Sequence, residues 1–165
     1  MFERILLAID ETPAGEVAVS FATAMARDGR ASVHVVHANL WLVGGRGVTV
    51  ETRDQAARVV GGAVAQLQAA GVEVSSELFT ATMFDLATRI VDVAEREGCD
   101  TLVIGSHRRR RLSRITGRGV RERLIRASAL PVVTAPPPLK VGRRRRGSVE
   151  IDRLARAMSP ADLRR

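Results

Sequence analysis

Two short runs of apolar residues constrain the fold of this chain more than any other feature of its sequence. Residues 5–9 read ILLAI and end at Asp10, and residues 101–104 read TLVI and end at Gly105. A strand without polar alternation must be covered on both faces, which is typical of a parallel sheet flanked by helices. Both runs are far shorter than the ~20 apolar residues of a membrane-spanning helix. They predict the centre of an α/β sheet and no membrane span.

Amphipathic helical patterns separate the predicted strands. After the first strand, Thr12 and Pro13 supply an N-cap and a first-turn proline, and apolar residues then recur at helical spacing. This pattern predicts a helix that stops at Gly29. Three further helices are predicted by the same reasoning: one over residues 51–70 closed by Gly71, one from the Thr82 and Asp85 capping pair to Gly98, and one around Val120 and Leu124.

The remaining strands are predicted from shorter patterns. Residues 33–37 predict a second strand, followed by a long glycine-bearing loop over residues 41–47. Residues 72–78 alternate apolar and polar side chains, which suits an edge strand. Residues 131–134 predict a final short strand, and its leading proline also fits an edge position.

The strand and helix order predicts a doubly wound, Rossmann-like sheet of five parallel strands. Right-handed crossovers and the two wholly apolar strands favour the order 3-2-1-4-5. The order reverses between strands 1 and 4, and ligands of such sheets bind beyond the carboxyl ends of the strands at that point. Asp10 and Gly105, which end these two strands, are therefore candidate site residues.

The charge of the chain is concentrated in two blocks. The net charge is +8, from 26 basic and 18 acidic residues, and Lys140 is the single lysine. Residues 106–126 carry a net charge of +8 and residues 136–165 one of +6. Arg111, Arg114, Arg118 and Arg121 would form a basic stripe along the fourth helix if that helix began early enough. Aromatic residues for stacking on bases make up only 3% of the chain, so a solvated face is favoured over specific nucleic-acid binding.

The composition changes after the last predicted strand. We predict a domain over residues 1–135, a Pro/Arg-rich linker over 136–147 and an amphipathic helical tail over 148–165. The apolar side of that tail consists of Ile151, Leu154, Ala155 and Met158. An isolated helix of this length is marginal in water, so the tail is expected to dock on its own domain, a dimer mate or a protein partner.

Residues with catalytic or metal-binding chemistry are few. Cys99 is the one cysteine, so an intramolecular disulfide and a CxxC redox or zinc motif are excluded, and it is expected to be a small buried hydrophobe. His34 and His37 are three apart in a strand and point to opposite faces, so they cannot share a metal. We predict no catalytic residue and no metal site. The amino terminus lacks the pattern of a signal peptide, so a cytoplasmic location is expected.

Three stretches resemble the universal stress protein family, over residues 2–135 in all. They are FERILLAIDETPAGEVAVSFATAMA, VHVVHAN and DTLVIGSHRRRRLSRITGRGVRERLIRASALPVVTA. The resemblance implies a small cytosolic α/β protein of the stress response, dimeric through its last strand. It also implies that Asp10 faces a ribose and that the backbone of Ala38 contacts an adenine.

One branch of that family binds ATP through Gly-x2-Gly-x9-Gly followed by Ser or Thr. Here Gly105 matches the first glycine, whereas Arg108 and Arg118 occupy the second and third positions and Gly119 the hydroxyl position. Glycines at such positions let backbone N–H groups approach phosphates, and an arginine Cβ blocks that approach. Ser106 and His107, in the Gly-Ser-His stretch, complete the candidate site.

The sequence therefore predicts a regulatory binding module with a degraded nucleotide pocket. ATP is expected to bind weakly or not at all, and AMP or another adenine nucleotide weakly. No enzyme signature is present, and slow ATP hydrolysis is left open without a candidate residue. The alternative is a basic adaptor that binds a protein partner or a polyanion through its arginine-rich loop and its tail.

Overall fold

The computed structural model describes residues 2–42, 48–106 and 119–138. In the described residues, six strands and four helices follow one another along the chain. The strands are β1 (Arg4–Ile9), β2 (Ser32–Leu42), β3 (Val48–Thr49), β4 (Val74–Ala81), β5 (Thr101–Ile104) and β6 (Val132–Thr134). The helices are α1 (Pro13–Gly29), α2 (Arg53–Ala69), α3 (Leu86–Arg96) and α4 (Val120–Ala127).

The parallel sheet has the strand order β4-β2-β1-β5-β6. This order confirms the predicted 3-2-1-4-5 arrangement, since β4, β5 and β6 are the third, fourth and fifth strands of the prediction. β1 pairs in parallel with β2 on one side and with β5 on the other, with Leu7 opposite Val35 and Val103. Every residue of β5 is buried, because helices cover both faces of the sheet centre.

Two apolar clusters fill the space between the sheet and the helices. One lies under α1 and α2 and the other under α3 and α4. Leu7 belongs to the first cluster and Leu6 to the second, because successive side chains of a strand point to opposite faces. No helix in the described part of the chain is long and apolar enough to cross a membrane.

The helix termini follow the capping residues of the sequence. Thr12 caps α1 and accepts a hydrogen bond from the Ala14 N–H, and Thr52 and Gln55 form a capping box at α2. Gly71 and Gly98 both have positive φ angles just after their helices, as predicted. α1 ends at Gly29 as predicted, and the residue that adopts the left-handed conformation there is Arg30, with φ 56°.

The predicted loop over residues 41–47 is partly wrong. β2 continues to Leu42 and forms a short antiparallel hairpin with β3, in which Trp41 lies opposite Thr49. The third predicted strand also shifts: β4 begins at Val74 rather than Val72 and continues past residue 78 to Ala81. Its last residues matter for the site, because Phe79 and Ala81 pack into the cluster under α3.

The basic stripe was predicted on the condition that the fourth helix begins early, and that condition is not met. Gly119 is the N-cap of α4, which begins at Val120, so that Arg121 is the one member of the stripe on this helix. Arg111, Arg114 and Arg118 lie outside the described residues. The same holds for the predicted tail and for the linker beyond Pro138.

Candidate functional site

A crevice of about 410 Å³ opens at the carboxyl ends of the central strands. It lies where the sheet order reverses between β1 and β5, and its volume falls within the ~300–1,000 Å³ of typical small-molecule sites. Charged side chains are few among the described lining residues: Asp10, Arg121 and Glu122. Glycines and apolar side chains form the rest of its wall.

Asp10 forms the corner between β1 and α1. Its Oδ1 atom accepts a hydrogen bond from the Thr12 N–H at 3.1 Å and another from the Thr12 hydroxyl at 2.6 Å. This Asx-turn brings Thr12 into position to cap α1. Asp10 therefore has a structural role, and the residue also lines the crevice.

Two glycines allow the chain to pack closely around this corner. A Cβ atom on Gly15 would lie 2.2 Å from the Asp10 carbonyl oxygen, and one on Gly105 would lie 2.7 Å from the Ala14 carbonyl oxygen. Neither glycine has a positive φ angle, so close approach rather than backbone conformation requires them. Because Gly105 has no side chain, the end of β5 packs directly against the first turn of α1.

The amino terminus of α4 forms the opposite wall of the crevice. Gly119 donates its N–H to Glu122 Oε2 at 2.7 Å, and Arg121 Nη2 lies 3.8 Å from Glu122 Oε1. Since Gly119 has no side chain, only the glutamate half of a capping box is formed. One of the N–H groups at this helix end therefore already donates to a carboxylate.

The structure brings four of the eight predicted site residues together. Asp10, Ala38, Gly105 and Gly119 all line the crevice. Ser106 follows Gly105 and is half-buried, but it is not among the lining residues. His107, Arg108 and Arg118 lie outside the described residues.

The apolar end of the crevice was missed by the sequence analysis. It is built on the side of β2, β4 and α3, away from Asp10, and its wall consists of side chains that carry only carbon and sulfur: Val36, Ala38, Leu40, Phe79, Met83, Leu86 and Ile90. Leu86 and Ile90 also belong to the apolar core under α3, and their helical spacing indicates that core role alone. Phe79 falls just beyond the predicted strand, so no sequence pattern placed it here.

Two arginines hold the turn between β4 and α3 that forms the outer part of this wall. Arg123 of α4 donates a hydrogen bond to the Met83 carbonyl oxygen. Arg89 of α3 donates to the Thr80 carbonyl oxygen, and its guanidinium lies 5.4 Å from the centre of the Phe79 ring. The backbone of the turn is therefore tied to both helices that flank the crevice.

A buried polar pair lies behind the Asp10 corner, on the face of α1 and α2. His37 is 2% exposed; its Nδ1 lies 2.9 Å from the Ile9 carbonyl oxygen and its Nε2 lies 2.9 Å from Glu51 Oε2. The Glu51 backbone is also held by Asn39, whose Nδ2 donates to the Glu51 carbonyl oxygen at 2.8 Å. This pair joins the end of β1 to the segment that leads into α2.

His34 lies in a separate cluster at the amino-terminal end of the sheet. His34, Glu77 and Glu97 offer ligand atoms within 4.8 Å of one another, the arrangement in the described residues closest to a metal site. Both carboxylates already pair with arginines, Glu77 with Arg96 and Glu97 with Arg4. Because these cations neutralise the carboxylates, the cluster is read as an ion-pair network.

Burial determines the protonation of two groups near that end of the sheet. Desolvation lowers the pKa of His34 below its usual value, and its nearest charges, Glu97 and Arg4, act in opposite directions. Burial raises the pKa of the Cys99 thiol to about 11. Cys99 is 6% exposed, which confirms its predicted role as a small buried side chain.

Comparison with known proteins gives a consistent result. Residues 1–136 match the profile described as "Universal stress protein family". A comparison with curated proteins gave no significant match.

Solved structures resemble most of the chain. A universal stress protein family member from Burkholderia pseudomallei shares 25% identity at a TM-score of 0.64, over 81% of this chain and 96% of that one. A universal stress protein from Archaeoglobus fulgidus in complex with dAMP shares 26% identity at a TM-score of 0.61, over 81% of this chain and 98% of that one. A universal stress protein family member from Arabidopsis thaliana with AMP bound shares 16% identity at a TM-score of 0.58, over 82% of this chain and 92% of that one. At this identity the likeness supports the fold alone.

Proposed function

Because this chain belongs to the universal stress protein family, we propose that it is a regulatory binding module of the stress response whose crevice takes an adenine nucleoside or nucleotide. The observation that carries the proposal is the convergence of Asp10, Ala38, Gly105 and Gly119, from four separate segments, on one crevice. The dAMP held by the relative from A. fulgidus supports an adenine ligand.

The proposal includes weak binding of the triphosphate. Arg108 and Arg118 stand where the ATP-binding motif has glycines, and Gly119 stands where the motif has the hydroxyl of Ser or Thr. The Gly119 N–H, at the helix end where a phosphate could bind, already donates to the Glu122 carboxylate. A phosphate would have to displace that carboxylate, which supports a site suited to the nucleoside half of the ligand.

Binding rather than catalysis is proposed for the crevice. Among the described lining residues, the Asp10 carboxylate accepts the Thr12 N–H of the Asx-turn before α1 and the Glu122 carboxylate accepts the Gly119 N–H. None of the other lining side chains carries a nucleophile. A cytoplasmic location belongs to the same proposal. So does a homodimer through β6, which pairs with β5 on one side in the described residues.

The first prediction tests the role of Asp10. Asp10→Asn keeps an Oδ1 acceptor for Thr12 but removes the negative charge that strengthens a hydrogen bond to a ribose hydroxyl. We expect adenosine affinity to fall about tenfold, or about 1.4 kcal/mol, measured by isothermal titration calorimetry. ATP should bind the native protein more weakly than adenosine does.

Glu11→Gln is the matched control, because Glu11 is the exposed neighbouring acid and does not line the crevice. It should leave adenosine affinity unchanged, and both variants should unfold at the native temperature. Equal losses in the two variants, or the absence of adenosine binding to the native protein, would contradict the proposal.

A second candidate function is the basic adaptor, and the distribution of charge favours it. The described residues hold ten arginines against fifteen acidic residues, a net charge of −5. The remaining residues hold sixteen basic residues against three acidic ones, a net charge of +13. Such separation supports attraction of a polyanion or an acidic partner to the arginine-rich loop and tail.

The second prediction tests this adaptor. Truncation after Pro136 removes nine basic residues of the tail, so binding to duplex DNA at low salt should weaken. Its logarithmic salt slope should decrease by about 3 to 4 units if the four arginines at 143–146 each contact one phosphate. Fluorescence anisotropy across a salt series measures both quantities.

A full-length variant with serine at positions 143–146 is the control for charge. It should match the truncation in salt slope while keeping the rest of the tail, and circular dichroism should show both proteins folded. An unchanged slope in both would exclude polyanion binding by the tail. Unfolding of the truncated protein would show instead that the tail has a structural role.

A further inference from the structure

The crevice is divided into two chemically different ends by the strand order. β1 and β5 end at its polar side, where Asp10 and the first turn of α4 carry all of its described charges. β2 and β4 lie on the other side of β1, and with α3 they build the apolar end. A ligand that spans the crevice must therefore place hydroxyl groups near Asp10 and carbon near Phe79, Met83 and Leu86.

Three backbone carbonyl oxygens at the apolar end already accept hydrogen bonds from within the protein. The carbonyl oxygen of Leu40 accepts the Val50 N–H at 2.8 Å. The carbonyl oxygens of Thr80 and Met83 accept guanidinium donors from α3 and α4. Each of these three oxygens can therefore offer an exocyclic amino group only its second lone pair, which makes it a weaker partner than water for that group.

The side chains at the apolar end are shaped to surround a hydrophobic substituent. Phe79, Leu86 and Ile90 are each at least nine-tenths buried and form its floor. Met83 is 45% exposed at its rim, and an unbranched thioether side chain adapts readily to the shape of what it covers. The Phe79 ring is also held by Arg89, whose guanidinium lies within cation–π distance of it.

We propose that the crevice selects adenine nucleosides that carry an aliphatic or aryl substituent on the exocyclic amine over unsubstituted adenosine. This inference rests on the proposed function, since Asp10 is taken to hold the ribose. The substituent covers the amine and buries apolar surface against Phe79, Met83 and Leu86, which favours binding. The ligand class is thus amphiphilic, with a hydroxyl-bearing end and a hydrocarbon end.

The test compares adenosine with N6-benzyladenosine by calorimetry on the full-length protein. The benzyl compound should bind about tenfold more tightly. Met83→Gln should remove most of that advantage, so that the ratio of the two affinities falls toward one, because Met83 lies at the rim of the apolar end. Phe84→Gln is the matched control, since Phe84 is the next residue, is 78% exposed and does not line the crevice.

The outcomes separate this inference from the function on which it rests. Adenosine binding without a benzyl advantage would overturn the selectivity and leave the proposed function standing. Failure of both compounds to bind would overturn both. A benzyl advantage that Met83→Gln and Phe84→Gln reduce equally would place the substituent outside the crevice and would also overturn the inference.

Discussion

Replacing Gly15 by alanine is expected to lower the free energy of unfolding by about 2 to 3 kcal/mol. The new Cβ would lie 2.2 Å from the Asp10 carbonyl oxygen and 2.9 Å from its Oδ1, so either the first turn of α1 or the Asp10 corner must move. Because Asp10 lines the crevice, adenosine affinity should fall as well. Urea unfolding measures the first effect and calorimetry the second.

Gly61→Ala is the matched control, and it is expected to change the free energy of unfolding in the opposite direction. Gly61 also lies within a helix, but it is exposed in α2 and an added Cβ meets nothing within 4 Å. Alanine there should raise the free energy of unfolding by about 0.5 to 1 kcal/mol, because glycine in a helix interior is entropically costly. Equal effects at both positions would show that helix propensity, rather than close approach to Asp10, determines the result.

The strand order could be predicted because its signal is local and strong. Each central strand is buried on both faces, and that requirement alone produces the apolar runs that end at Asp10 and Gly105. Once these two strands are placed side by side, right-handed crossovers leave few alternatives. The polar end of the crevice follows from the same reasoning, because it is the point where the order reverses.

The features that the sequence analysis missed depend on contacts between distant residues. β3 has only two residues and exists because the Val50 N–H and the Trp41–Thr49 pair hold it against the end of β2. Phe79 turns its ring to the face opposite Leu78, so a single alternating pattern with one inner face could not place it. Arg30 adopts a left-handed conformation beside a glycine that could have done so at lower cost.

Gly15 is a sequence signal of close backbone packing that the predictions above leave out. A glycine in the first turn of a helix carries a conformational cost, which suggests that something approaches its backbone closely. The structure supplies the reason in the carbonyl oxygen of Asp10. Gly105 meets the Ala14 carbonyl oxygen in the same way, so this glycine has a packing role besides the binding role that the family resemblance implies.

The His37–Glu51 pair shows how the crevice is supported from behind. The Ile9 carbonyl oxygen can only accept a hydrogen bond, so His37 Nδ1 must carry a proton. One proton must also lie between His37 Nε2 and the Glu51 carboxyl group. The ring therefore ties the residue before Asp10 to the segment before α2.

Replacing His37 by leucine is expected to lower the free energy of unfolding by about 3 kcal/mol. The substitution leaves the Glu51 carboxylate, whose side chain is 11% exposed, and the Ile9 carbonyl oxygen without their partner, and breaking a buried pair by removing one member costs about 3 to 5 kcal/mol. Replacing both His37 and Glu51 by leucine should recover part of this loss, because the carboxylate is then no longer left unpaired. Urea unfolding of the two single variants and the double variant gives the coupling free energy.

Glu51→Gln distinguishes hydrogen bonding from charge in this pair. The glutamine amide can donate to a neutral His37 Nε2 while Nδ1 still donates to Ile9, so the free energy of unfolding should change by less than about 1 kcal/mol. Glu51→Leu, which leaves His37 Nε2 buried without a partner, should cost about 2 kcal/mol. Equal losses for Gln and Leu at this position would show that the stabilisation requires the carboxylate charge, and no loss in either would show that the pair does not hold the end of β1.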